Sequence, residues 1–454
     1  MTPFTGPSGS PFCVERLPCS RREFLYGLTA GASLWGLPGS AAATPQTTRP
    51  KVAAVFTVFN HRSHAHVILE NFLESYLFNG KLSDPGVDVV AFYADQLPGN
   101  DMARDVAKQY GIPLFKTINE ALCVGGDSLN VDAVLSIGEH GNYPVNALGQ
   151  RQYPRKRFFD AIVDVMRRSN RFVPVFNDKH LSYRWDWSKE MYETAKRHHI
   201  PLMAGSSVPL AQRRPELELP LGAEIQEAVS IHGGPIESYD FHGLEVLQSM
   251  IESRSGGETG IASVEFLSGD ALWKAADQGR WSRELATAAM AAELGKAPET
   301  LTHVAGEQKT TPHGLLLKYT DGLRASVLKI GHNSTRWNFA CRLKNTSNVK
   351  ATSFYVGPWQ NRNLFKALSH AIQQHFIHKR APYPVERTLL VTGILESAMQ
   401  SRRDQGAPTQ TPHLNIAYKA RDFAAMRERG ASWKIITEGT PEPRGINPNG
   451  GTTG

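Results

Sequence analysis

No glycine occurs between Phe56 and Leu69. The stretch VFTVFNHRSHAHVIL otherwise reads as a strand turning into a helix, where a dinucleotide fold places glycines so that backbone can approach a pyrophosphate. Side chains stand there instead. The whole chain has only four cysteines among 454 residues. Cys13 and Cys19 lie in the N-terminal leader, and Cys123 and Cys341 read as isolated small core residues, so no disulfide framework is indicated. Long apolar runs are absent too. The most apolar segment, ending at Pro38, covers about a dozen residues, short of the ~20 that span a bilayer. The net charge of +7 is dispersed rather than collected into a basic stripe with interleaved aromatics, which argues against nucleic-acid binding.

What is present begins with the leader. In SRREFLYGLTAGASLWGLPGSAAATP, Arg21 and Arg22 precede Phe24, Leu25 and the short apolar run, and Ala41–Ala43 supply small residues of the kind a signal peptidase cuts. The pattern resembles a twin-arginine signal, and predicts export of an already folded protein by the twin-arginine machinery to the periplasm or beyond. Residues 1–43 are then a signal peptide and 44–50 a polar, proline-flanked linker.

From Lys51 strands and helices alternate. Apolar runs at Lys51–Phe59, Val87–Asp95, Ile112–Thr117, Val131–Gly141, Phe172–Leu181 and Ile200–Ser207 are separated by helical patterns, among them Ser63–Tyr76 and the amphipathic RKRFFDAIVDVMRRSN. Such alternation predicts a Rossmann-like, doubly wound parallel sheet over 51–207. After Val208, short alternating strands predict a mostly antiparallel open sheet in an α+β domain over 208–438. One face of that sheet is expected to be free for a second copy of the chain. The Pro/Gly-rich residues 439–454 read as a disordered tail.

Ligands of a doubly wound sheet sit beyond the carboxyl ends of its strands. That rule selects Asn60–His66, Asp95, Glu139–Tyr143 and Asn177–His180. His61, His64, His66, His140 and His180 share this rim with Glu139 and Asp178. Imidazole and carboxylate together suit several divalent metals, but the spacing matches no metal motif and no metal ligand is assigned. Tyr143, Trp185 and Trp187 could stack on a sugar ring or simply pack. Arg213–Arg214 reads as a solvated loop pair, with an acidic substrate as the alternative.

Several segments carry a family resemblance over roughly Lys51–Arg402. VDAVLSIGEHGNYP, VFNDKHL, GGPIESYDFHGLEVL and ERTLLVTGILESAM follow in the order and spacing of motifs of the glucose–fructose oxidoreductase and inositol dehydrogenase (Gfo/Idh/MocA) family. In VFNDKHL, Asp178, Lys179 and His180 stand in the place of the family's Glu-Lys-Pro. In GGPIESYDFHG, His242 matches the family's histidine, with Ser238 where an Asp belongs. The resemblance implies hydride transfer between a sugar or glycoside and a nicotinamide, NAD or NADP. His242 is then the base, Lys179 the fixed cation beside the developing alkoxide, and Asp178 a third catalytic residue beside them. It also implies that Asp95 binds an adenosine ribose and so selects NAD. Were NADP bound, Arg62 or Arg104 would meet its phosphate. Glu139 and His140 line the cofactor groove, and a displaced phosphate would be met by Asn60, Arg62 and Ser63. A second reading stays open: a non-redox relative that binds carbohydrate, or a lyase or hydratase using the rim histidines.

Overall fold

The apolar runs of the first half build one six-stranded parallel sheet. The computed structural model describes residues 48–306, 311–344, 346 and 348–447; the leader with Arg21 and Arg22 lies outside the described residues. The strands are ordered Leu114–Phe115, Asp88–Ala94, Lys51–Phe56, Ala133–Ile137, Val175–Asp178 and Leu202–Gly205. Every neighbouring pair is parallel. The chain reverses direction of travel across the sheet at Lys51–Phe56, so the switch-point crevice opens at that strand's carboxyl end. Alternation sets the two layers: Val52, Ala54 and Phe56 enter one core, Ala53 and Val55 the other, and all five are fully buried.

The strands are shorter than the apolar runs. Lys51–Phe56 stops before Phe59, and the first helix is His64–Leu73, after which Tyr76–Phe78 pairs with Lys81–Ser83 in a small hairpin. On the opposite side, the helix Arg155–Arg168 buries Phe158, Phe159, Ile162, Val163 and Met166. Cys123 and Cys341 are free and buried.

The second sheet has eight strands, ordered Thr409–Gln410, Ile261–Ser268, His313–Tyr319, Arg324–Lys329, Ile225–His232, Trp337–Leu343, Val349–Tyr355 and Gln212–Arg214. All its pairs are antiparallel except Ile225–His232 with Arg324–Lys329. The helices Ser238–Ile251 and Val385–Arg403 cover one face. The other face, expected to be free, carries Asp270–Asp277 and Arg283–Leu294 over Val229, Ile231, Leu328 and Ala340. That helical layer removes the apolar surface through which a second copy was expected to dock.

Two late segments return to the first sheet. The helix Asn361–His378 lies on His64–Leu73, with Asn71 Nδ2 donating to Ser369 Oγ (3.2 Å) and Gln373 Nε2 donating to the Asn71 carbonyl (2.7 Å). Phe365, Leu368, Ile372 and Phe376 join its core. The described part of the tail, through Asn447, is ordered against the same surface rather than disordered. Ile446 is fully buried, Glu442 pairs with Arg62 and Arg362, and Trp359 Nε1 donates to the Thr440 carbonyl (2.9 Å).

Candidate functional site

A cavity of about 560 Å³ opens between the carboxyl ends of the first sheet and the start of the helix Ser238–Ile251. Arg62, His64, Glu139, His140, Lys179 and His242 line it. These side chains come from five different loops or elements, and all but His242 sit on the rim that the strand-end rule selects.

The backbone at this cavity is strained. Arg62, His140, Lys179, Glu237 and Gln360 all have φ between 49° and 70°, and all five line the cavity. Non-glycine residues in this region cost on the order of 1–3 kcal/mol each and persist where surrounding structure fixes them, commonly at functional sites. Lys179 illustrates the purpose. Its residue follows the buried strand Val175–Asp178, and a bridge to Gly205, whose N–H donates to the Lys179 carbonyl (3.2 Å), holds the turn.

From that turn Lys179 Nζ donates to His242 Nε2 at 2.7 Å. Burial, then Lys179, holds His242 well below its ordinary range, so the imidazole is neutral. With Nε2 accepting, Nδ1 carries the proton and donates to Ser206 Oγ at 2.6 Å; the same oxygen accepts from the Val208 N–H (3.1 Å). Glu139 Oε1 lies 3.7 Å from Lys179 Nζ, and its other oxygen bonds Arg155. Burial alone would raise the Glu139 carboxyl, but Lys179 and Arg155 overcome it and hold it at about 2. His140 is pulled down to about 4 by burial and then by His64. Glu237, whose Oε1 is 3.4 Å from His180 Nε2, is pushed up to about 7 by burial and then by Glu139. The cavity therefore gathers Lys179 and the Glu139 carboxylate, the two imidazoles His242 and His140 held below their ordinary range, and a Glu237 carboxyl raised to about 7.

Two other sequence assignments change. Asp178 is buried and its Oδ2 accepts from His64 Nδ1 at 2.6 Å, so it positions His64 and does not reach the cavity. Trp185 packs on Gly393 and Trp187 on Tyr183; the aromatic wall is Tyr239 stacked on Trp337, 5.0 Å apart at 18°. Gly234 makes that wall possible, since a Cβ there would fall 1.9 Å from the Tyr239 ring.

The first turn is closed. The Phe59 N–H donates to Asp101 Oδ2 (2.7 Å), Arg62 N–H to His66 Nδ1 (2.8 Å) and Ser63 N–H to the Asn60 carbonyl (3.0 Å). Ser63 Oγ caps the helix by accepting from His66 N–H, and the Asn60 side chain does not line the cavity. The Arg62 guanidinium bonds Glu442, Asn361 Oδ1 (3.1 Å) and the Trp359 carbonyl (3.4 Å). Arg62 and Ser63 are thus engaged by the protein itself rather than presented to a phosphate, and Asn60 Oδ1 is buried without a hydrogen-bond partner. Asp95 is engaged as well. It accepts from Tyr93 and Tyr143 hydroxyls and from Arg157, all at 2.7 Å, and against the effect of burial these bonds hold its carboxyl low. Beside it Gln96 and Asn142 bond reciprocally, closing the loops over the central strand.

No family profile and no curated protein matches the sequence. Solved structures do match. GenD2 from gentamicin A biosynthesis, in complex with NAD, superposes with a TM-score of 0.50 at 12% identity, covering 84% of this chain and 99% of that one. The chain has the Gfo/Idh/MocA fold. The scyllo-inositol dehydrogenase of Lactobacillus casei with bound NAD(H) and scyllo-inositol gives 0.49 at 11% identity, covering 80% and 99%. The myo-inositol dehydrogenase from Corynebacterium glutamicum gives 0.48 at 11%, covering 80% and 98%.

Among the described residues, the rim histidines do not gather into a metal-binding group. The one such group is His232, Asp240 and His313, fully buried behind the cavity. There both histidine Nε2 atoms already bond Asp240 Oδ1, at 3.0 and 2.7 Å. The sequence reading missed Glu237, Tyr239 and Trp337. The first two lie within five residues of His242 in the segment that carries the Gfo/Idh/MocA resemblance, and the glycine pair before them was the available signal. Trp337, from a distant strand, had none.

Proposed function

We propose that this chain is an oxidoreductase of the Gfo/Idh/MocA type that acts on a carbinol of a sugar or polyol with a nicotinamide cofactor. The observation that carries the reading is the Lys179–His242–Ser206 chain of hydrogen bonds at the floor of an open, polar cavity. Removing hydrogen from a CH–OH group requires a base for the hydroxyl proton. Neutral His242 takes that proton at Nε2, once Lys179 turns a hydrogen bond from the ring to the substrate oxygen. The lysine then stabilises the negative charge as it develops. Ser206 keeps Nδ1 protonated, which leaves Nε2 as the basic atom. The Tyr239–Trp337 pair gives a flat apolar surface for the C–H face of a ring, while Glu237 and Arg151 offer polar partners to its hydroxyls.

A bound nicotinamide would supply the hydride acceptor. The residues here fit its reacting end: Glu139, His140, His64 and Arg62 surround the carboxyl ends of the central strands. For the adenosine end the donors and Asp95 are present but bonded within the protein, so a dinucleotide has to displace Tyr143 or Arg157 to reach that carboxylate. This engagement favours a second reading, a non-redox lyase, hydratase or carbohydrate-binding protein that uses the same acid–base groups. The leader extends either reading to a protein exported through the twin-arginine route.

Mass spectrometry of small molecules released on denaturing the full chain, purified from the cytoplasm before export, separates the two. Release of NAD or NADP is the expected outcome. No released nucleotide, together with no saturable NAD binding to the folded chain, would overturn the redox reading.

A further inference from the structure

Arg213 is not a solvated loop residue. It is 7% exposed, at the end of the second sheet, and lines a separate cavity of about 470 Å³ on the far end of the helix that carries His242. The cavity is walled by residues 218–221, by Ser249–Ser253 at the close of that helix, and by the segment 420–429. Four arginines line it: Arg213, Arg421, Arg427 and Arg429.

The charges do not balance. Arg213 Nη1 (3.0 Å) and Arg427 Nη2 both bond one carboxylate, Glu218, and donate to it from side chains that are only 5% exposed. Glu218 itself is 52% exposed. Of the other lining carboxylates, Glu252 is held by buried Arg387 and by the Tyr418 hydroxyl (2.9 Å). Asp422 is exposed and accepts from the Ala424 N–H (2.8 Å). Arg213 Nη1 also donates to the Leu217 carbonyl (2.8 Å). Among the described residues, however, Glu218, itself half solvated, is the one carboxylate that these two buried guanidinium groups have, and burying a charge is costly unless a close counter-charge offsets it. A second sign is independent of that count. Arg213 Nε is buried with no hydrogen-bond partner, whereas buried polar groups are normally paired. Burial, then the neighbouring Arg427, draws the Arg213 guanidinium down to about 9, as expected where positive charge is in excess.

Apolar side chains complete the cavity. Leu219, Leu221, Met250 and Phe423 line it, and Leu221 is 86% exposed at its mouth. An exposed leucine beside buried arginines suits a ligand with an anionic head and an apolar body. We propose that this cavity binds a small organic carboxylate, its head on Arg213 and Arg427 in competition with Glu218, and its body against Leu219, Leu221 and Phe423.

Calorimetric titration of the full chain with hexanoate, acetate and inorganic phosphate tests this. Hexanoate should bind at one site, and acetate at least about tenfold more weakly, the difference expected for a few buried methylenes. Glu218→Gln removes the competing carboxylate and should tighten hexanoate about tenfold. Leu221→Ser, at an exposed position that cannot compromise folding, should weaken hexanoate and leave acetate unchanged. Absence of hexanoate binding to both the parent and the Glu218→Gln variant overturns the proposal. Binding of phosphate with no preference for hexanoate over acetate marks an adventitious ion only, and overturns it equally. None of these readouts depends on whether the His242 cavity performs redox chemistry.

Discussion

The two ends of the crevice above the first sheet differ in how their polar groups are satisfied. At the first turn the amides of Phe59, Arg62 and Ser63 and the Asp95 carboxylate have partners within the protein. At the other end Lys179, His140 and Glu237 hold positive-φ backbone around the cavity. Stability favours the first arrangement and works against the second. Of the strained residues only Arg62 belongs to the closed first turn; Lys179, His140 and Glu237 keep the strain where the acid–base groups gather, which is where a fold retains it for function.

The comparison is broken most directly at Lys179. Lys179→Met should lower turnover, or proton-transfer-dependent substrate binding, by about 10²–10⁴-fold. The unfolding midpoint should move little, because Glu139 keeps Arg155 as its partner. Steady-state rates on a polyol panel and thermal unfolding together check this; a large stability loss with retained activity would make Lys179 a structural residue. Next in size is Arg155→Gln, which leaves Glu139 buried beside Lys179 alone. Breaking such a buried pair costs about 3–5 kcal/mol, read from urea unfolding.

A smaller effect sharpens the comparison from the other side. Combining Tyr143→Phe with Arg157→Ala removes two of the three partners of Asp95 and leaves only the Tyr93 hydroxyl, and NAD affinity measured by titration should rise about tenfold. Unchanged affinity would mean that Asp95 has no part in nucleotide binding. A further effect is in pH dependence. Glu237 titrates near 7 in the fold against 4.5 for an unperturbed glutamate, so between those values the folded chain holds a proton the unfolded chain has lost. Stability should fall as pH rises through that window. Glu139 has the opposite slope: its folded value of about 2 gives stability that is present above 4.5 and lost as pH falls below it. Glu237→Gln should reduce the fall between pH 4.5 and 7 in urea midpoints, leaving the part carried by Glu245, which burial also raises to about 7, and leave the acid limb intact.

The parallel sheet was legible because each strand is an apolar run closed by a helix pattern, and both faces are covered. The helix Ile118–Cys123 carries a local signal of its start, since Thr117 and Glu120 form a capping box. Ends of strands were overread wherever apolar residues continue into the loop, as Phe59 does by turning into the Phe56–Phe92 cluster. Lys179 and His242 could be placed by motif order, and the structure brings their nitrogens within hydrogen-bond distance. Asp178 could not be oriented from sequence, because successive strand residues point to opposite sides and its side chain meets His64 instead. Nor could the engagement of Asp95 be foreseen. Its partners Tyr143 and Arg157 are 48 and 62 residues away, and no local pattern marks them.

The helix Asn361–His378 has a further consequence, for the order in which the molecule assembles. It completes the core over His64–Leu73 through contacts such as Asn71–Ser369, separated by 298 residues. Such long-range closures delay folding, because the connecting chain must be confined before they form. Residues 51–207, released alone, would display the apolar surface that Phe365, Leu368, Ile372 and Phe376 cover in the whole chain. As synthesis proceeds from the N-terminus, that surface stays bare until the chain has passed His378, an interval in which the unfinished chain carries an aggregation-prone apolar face.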